Sequence, residues 1–128
     1  MSRPGRVRSA RRRGELGAAT AELALAMPLL LAVTVGLVWL LAVGAAQVRI
    51  VDAARESARA AARGDSESVA VGRGLAVAPD GSRITLGTDG DRVTATATGE
   101  VAGPGGLFRF LPGARLHATA VAATEAVP

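Results

Sequence analysis

The chain has 128 residues, of which 49% are hydrophobic and 2% aromatic, with no cysteine and a formal charge of +4. The lack of cysteine excludes a disulfide framework and a thiolate metal site, and the length leaves room for one small folded domain at most. The positive charge is confined to one end: residues 1–17 hold six Arg and one Glu, whereas the remainder holds nine Arg and ten acidic residues. A nucleic-acid surface needs a basic face on a folded module or aromatic stacking platforms; with two Phe, one Trp and no Tyr, no nucleic-acid partner is expected.

Met1–Arg13 carries Arg3, Arg6, Arg8, Arg11, Arg12 and Arg13 without apolar periodicity, and reads as a disordered cationic tail. Arg12-Arg13 is followed by Gly14-Glu15-Leu16, not by the apolar continuation of a twin-arginine signal. Beyond it, no charged residue occurs from Leu23 to Val48. A helix over the 24 residues Leu23–Ala46 rises roughly 36 Å, enough to cross a hydrocarbon core of ~30 Å with some tilt. The run is longer than the ~7–15 residues of a secretory h-region. Six arginines before the span against Arg49, Arg55, Arg59 and Arg63 after it predict a cytoplasmic N-terminus and an extracytoplasmic C-terminal part.

Glu22 stands at the mouth of the apolar run, where a carboxylate is expensive unless something uses it. Pro28, inside the span, cannot donate to the carbonyl of Ala24, so a kink or local unwinding is expected there. Thr20 and Thr34 are predicted to bond back within their own helix, leaving that carbonyl to water or a packed neighbour. Ala32, Gly36 and Gly44 offer small surfaces for close helix approach. Trp39 falls mid-span, away from the interfacial belt.

From Gln47 to Arg63 the helix is expected to continue, stopping at Gly64, a suitable residue for the left-handed C′ position. Val48, Val51, Ala54, Ala58, Ala61 and Ala62 form its predicted apolar side; Arg49, Asp52, Arg55, Glu56, Arg59 and Arg63 form the charged side, with ion pairs expected for Asp52–Arg55 and Glu56–Arg59. Residues 65–78 suit either a short helix, broken near Gly72 and Gly74, or a strand, with the balance toward helix. Pro79-Asp80-Gly81 is a turn. A hairpin is predicted over about 82–101, turning at Thr88-Asp89-Gly90-Asp91. Its inward residues are Ile84, Leu86, Val93, Ala95, Ala97 and Val101. Leu107–Leu111 makes an apolar loop in which Phe108 and Phe110 are expected to cap the core, the alternative being an exposed docking patch. A last strand over about 114–125 turns Leu116, Ala118, Ala120 and Ala122 inward and His117 outward.

No catalytic set emerges. His117 is a lone solvated His, Asp80, Asp89 and Asp91 are turn residues with too few oxygen ligands for calcium, and neither an enzyme nor a metal or other cofactor is expected.

The order of parts is distinctive: a basic tail, a Gly, four small or polar residues, a Glu and the span. Only Gly17 has a Glu five residues on. Gly17-Ala18-Ala19-Thr20-Ala21-Glu22-Leu23-Ala24-Leu25, followed by Met27-Pro28, resembles the start of the TadE family, minor pilin-like proteins of the tight-adherence (Flp-type, type IV-like) pilus system. The resemblance extends roughly from Arg11 to Gly64 through the alanine-arginine stretch Asp52–Gly64. It implies an α+β fold: a cytoplasmic leader over 1–17, cleaved by a prepilin peptidase between Gly17 and Ala18; a helix over 18–63 spanning the membrane at about 23–46; and a small extracytoplasmic domain over 64–128. Other pilin-like subunits and the pilus assembly platform are the implied partners besides membrane lipid. Glu22 would be the fifth mature residue, able to face its own new α-ammonium or a neighbour's. Major pilins of the system are shorter and carry Tyr after the Glu, where this chain has Leu23; that favours a minor subunit. The alternative is an uncleaved single-pass anchor with a small interaction domain.

Overall fold

The computed structural model describes residues 6–125, with side chains from residue 12 onward except that of residue 107. Its elements are α1 (Arg6–Ala62), α2 (Glu67–Val77), β1 (Arg83–Asp89), β2 (Arg92–Val101), a single 3-10 turn (Gly106–Phe108) and β3 (Ala114–Ala123). The fold is α+β. The chain divides into two compact units, residues 1–38 and 39–128.

The first unit is the N-terminal part of α1. Helix begins at Arg6, so the tail expected to be disordered is helical from that residue on. Arg, Ala, Leu and Glu are strong helix formers, and only Gly14 and Gly17 weaken the segment, by about 1 kcal/mol each. Thr20 and Thr34 hydroxyls donate to the carbonyls of Leu16 and Leu30, each at 2.8 Å, so neither serves the carbonyl that Pro28 leaves without a donor. The helical assignment is continuous through Pro28.

The second unit, called the head below, is a three-stranded antiparallel sheet of order β1-β2-β3 on the C-terminal part of α1. Ile50, Ala53, Ala54, Ala78, Ile84, Ala97 and Leu116 form the core, with Val43, Ala46, Val71, Val101, Ala118 and Ala120 packed around it. Alternation sets the sheet: Val93, Ala95 and Ala97 are buried while their neighbours along β2 are not, and Leu116 is buried between exposed Arg115 and His117. The β1–β2 connection is the two residues Gly90-Asp91, closing the Asp89–Arg92 pair. Gly90 has φ +59° and Asp91 is not left-handed, the pattern of a type II′ turn with Gly at its first central position.

The face that α1 gives the sheet differs from the expected one. Buried are Ile50, Ala53, Ala54, Ser57, Ala58, Ala60 and Ala62; Val48 is exposed, and Val51 and Ala61 are only half-buried. The stripe follows Ile50, the one large residue fully enclosed, whose side chain reaches the backbone of Gly99 on β2. At its end α1 closes with a Schellman motif: Asp65 N–H donates to Ala60 O at 3.1 Å and Gly64 N–H to Ala61 O at 3.0 Å, Gly64 taking φ +91° as the C′ residue requires. Glu125 N–H donates to Ala62 O at 3.1 Å, so the chain beyond β3 satisfies another terminal carbonyl.

Residues 67–77 form one unbroken helix, with no break at Gly72 or Gly74. It is held on α1 by charges that the sequence pattern assigned elsewhere. Asp52 and Arg55 pair as expected at 3.8 Å, but Glu56 meets Arg73 at 4.0 Å instead of Arg59, and Arg73 also reaches Asp65 at 3.3 Å. All of these groups are substantially exposed, so each pair contributes little. Arg49 contributes more. Its Nε donates to Val77 O at 3.0 Å and an Nη to Ala78 O at 2.8 Å, placing a cation on the carbonyl end of α2, where the helix dipole favours it. Arg49→Ala is expected to cost the head about 1 kcal/mol, read as faster amide exchange in the last turn of α2 with the β2 amides changed least.

Candidate functional site

Gly17, Ala18, Thr20 and Glu22 lie within two turns of α1, all exposed. A Cβ at Gly14 or Gly17 would meet nothing within 4 Å, so neither glycine makes room for another part of this chain. Their common effect is to lower the cost of unwinding the helix locally. Glu22 makes no ion pair among the described residues. Ala18 is four residues before it, and within an intact helix its N–H is an amide with no charge to offer.

Beyond Glu22 the helix is apolar all round. Leu23, Leu25, Met27, Leu29, Leu30, Leu31, Leu37 and Val38 are each more than half exposed. The most apolar 18-residue window has none of its residues buried in the protein, and the helix is long and apolar enough to cross a membrane. A surface helix of a soluble protein would have a polar side; this stretch has none.

In the head, three polar side chains tie α1 to the sheet and to α2. Trp39 Nε1–H donates to Ala102 O at 2.8 Å, immediately after β2, Gln47 Nε2–H donates to His117 O at 2.9 Å on β3, and Arg49 caps α2. Sequence reasoning missed all three. Their only signal was position: a lone indole, a lone amide and the first Arg beyond the apolar run, all within three turns of one helix. His117 is exposed on the outer face, as expected, with Nε2 3.4 Å from Thr119 Oγ1. Among the described residues no group of three or more His, Cys, Asp or Glu could hold a metal ion. Phe110 does not cap the core: it is 77% exposed, and its ring lies tilted against Phe108 with centroids 6.4 Å apart.

An unshielded apolar helix long enough to cross a membrane, whose C-terminal part carries a small α+β head, has the layout of a single-helix membrane protein. Within that class, the family model of TadE-like proteins matches residues 17–59, inside the stretch on which the resemblance rests and starting at Gly17. The comparisons with curated proteins and with solved structures return no match.

Proposed function

We propose that the chain is a TadE-like minor pilin or pseudopilin: a structural, non-enzymatic subunit inserted through α1, cut between Gly17 and Ala18 by a prepilin peptidase, and assembled into or priming a Tad-type pilus or secretion filament. Its N-terminus lies in the cytoplasm and its head outside, and its partners are sibling pilin-like subunits and the assembly platform. The observation that carries this reading is the family match beginning at Gly17 on a helix with no protein cover. The glycines support it, because a peptidase needs its scissile bond extended and Gly14 and Gly17 make α1 easier to unwind here. Removing residues 1–17 takes away six Arg and one Glu, leaving a helix end whose charges are the new α-ammonium and Glu22, able to leave the lipid for a subunit bundle.

The unbroken helix through Gly17 is also what an uncleaved single-pass anchor would have. Intact mass and N-terminal sequencing of the protein from its native membrane separate the two. A mature chain starting at Ala18 is expected, and Gly17→Phe should leave uncut precursor in the membrane. A native protein starting at Met1 would establish the anchor.

A further inference from the structure

We propose that the β2–β3 loop is a membrane-interface anchor: Phe110 and Leu111 insert at the headgroup level of the bilayer that α1 crosses, and the outer edge of the span lies at Trp39 instead of near Ala46. The inference rests on α1 crossing a membrane, and it starts from levels along α1 within the head. Trp39 is bonded to Ala102 and Gln47 to His117. Between those two levels the strand register places Glu100 opposite Arg115, both exposed on the outer face of the sheet. Val43 and Ala46, on the same stretch of helix, pack against the core.

A bilayer reaching Ala46 would therefore have to take in Glu100 and Arg115 beside the helix, against the large cost of charged side chains in hydrocarbon. A bilayer ending at Trp39 takes in neither. Counting back from there, the 21 residues Ala19–Trp39 rise about 32 Å, the thickness of a hydrocarbon core. The indole then sits where Trp is enriched, at the boundary between apolar and wet.

At that boundary the head exposes apolar side chains. Phe110 is 77% and Leu111 38% exposed, and Leu40 and Leu41 on α1 are 60% and 75% exposed; Arg109, next to Phe110 in the loop, is exposed too and supplies a cation for anionic headgroups. The base of the loop is pinched. A Cβ on Gly103 would lie 2.6 Å from Leu111 O, and one on Gly113 2.7 Å from Val101 O; Gly105 and Gly106 take φ +70° and +59°. The tip is thus presented by backbone contacts and needs no core of its own.

The test uses the full chain in phosphatidylcholine–phosphatidylglycerol vesicles. Trp39 is the only Trp and there is no Tyr, so intrinsic emission reports Trp39 alone. Lipids brominated near the headgroup should quench it more than lipids brominated near the chain ends; the reverse order would overturn the boundary. Because the chain has no Cys, Phe110→Cys, Thr85→Cys and Leu30→Cys each give one site for an environment-sensitive dye. Expected are blue-shifted emission and lost iodide quenching at 110 and at 30, with full quenching at 85 on the outer face. Protection at 30 with full quenching at 110 would overturn the loop's role. Protection at 110 that vanishes as protein is diluted in lipid would assign the patch to a second copy and overturn it equally. Quenching at 30 would overturn the membrane reading itself and the loop's role with it.

Discussion

Gly74→Ala is expected to destabilise the head, and Gly72→Ala, two residues earlier on the same helix, to stabilise it. Both substitutions gain about 1 kcal/mol of helix propensity. At Gly72 nothing lies within 4 Å of the added methyl, so the gain stands alone. At Gly74 the new Cβ would overlap Ser57 Oγ and lie 2.6 Å from Ile84 Cδ1 and 2.7 Å from the carbonyl oxygen of Ala53. Ile84 can turn away, but the Ala53 carbonyl belongs to the backbone of α1 and cannot, so α2 must move off α1. Overpacking of this kind costs about 1–3 kcal/mol, and the displacement also pulls Val77 and Ala78 from Arg49. The head has few large core residues to absorb it; Ile50, Ile84 and Leu116 are joined mainly by alanines. Thermal unfolding of the full chain in detergent, followed by the sheet signal, should show the midpoint falling for Gly74→Ala and rising for Gly72→Ala. Equal shifts of the same sign would mean that the two helices do not cross at Gly74.

Glycine 74 also shows where the sequence stopped being legible. Period and alternation made the long apolar helix, the stop at Gly64, the Gly90-Asp91 turn and the inward faces of β2 and β3 readable, because each rests on a local pattern of side-chain size or backbone freedom. The face of α1 beyond Gln47 was not readable in this way. Alanines occur on most sides of that helix, so hydrophobicity does not distinguish them, and the choice falls to where Ile50 meets Gly99 and where Gly74 admits Ala53 and Ser57. Those contacts join residues distant in the chain. Ser57 is the cost of that arrangement: its hydroxyl is fully buried with no hydrogen-bond partner, tolerated because only a side chain about the size of alanine fits against Gly74. Trp39 is similar, since the carbonyl it finds is 63 residues away. Of the candidate site, the register Gly17–Glu22 was legible because it is a spacing. The helix running back to Arg6 was not, because the arginines that signal a cytoplasmic flank are also strong helix formers.

That extended helix sharpens what Glu22 can do. Glu22→Ala should insert in the membrane at least as well as the parent and should still be cut after Gly17, yet it should be lost from sheared filament fractions. Insertion improves because a carboxylate carried toward the bilayer centre costs up to ~2.5–3.5 kcal/mol, and less near its edge. Cutting persists because the scissile bond is five residues upstream. Assembly fails for a reason visible in the uncut helix. The partial positive charge of a helix N-terminus fades within its first turn, and with α1 starting at Arg6 Glu22 lies several turns inside, beyond its reach. Before the cut, then, Glu22 has neither a dipole end nor an ion-pair partner among the described residues. Removal of residues 1–17, as proposed, would supply both at once: the helix would begin at Ala18, with the new α-ammonium at i−4 from the carboxylate on its own chain or that of a neighbour facing it. Glu22→Gln, which keeps the shape and loses the charge, should fail in assembly as Glu22→Ala does. Insertion, leader removal and filament recovery measured in parallel decide the matter. Unchanged recovery of Glu22→Gln would show that charge pairing is not what holds the subunit in the filament, and a parent protein that keeps residues 1–17 and never enters a filament fraction would establish the uncleaved anchor, in which Glu22 has nothing to pair with.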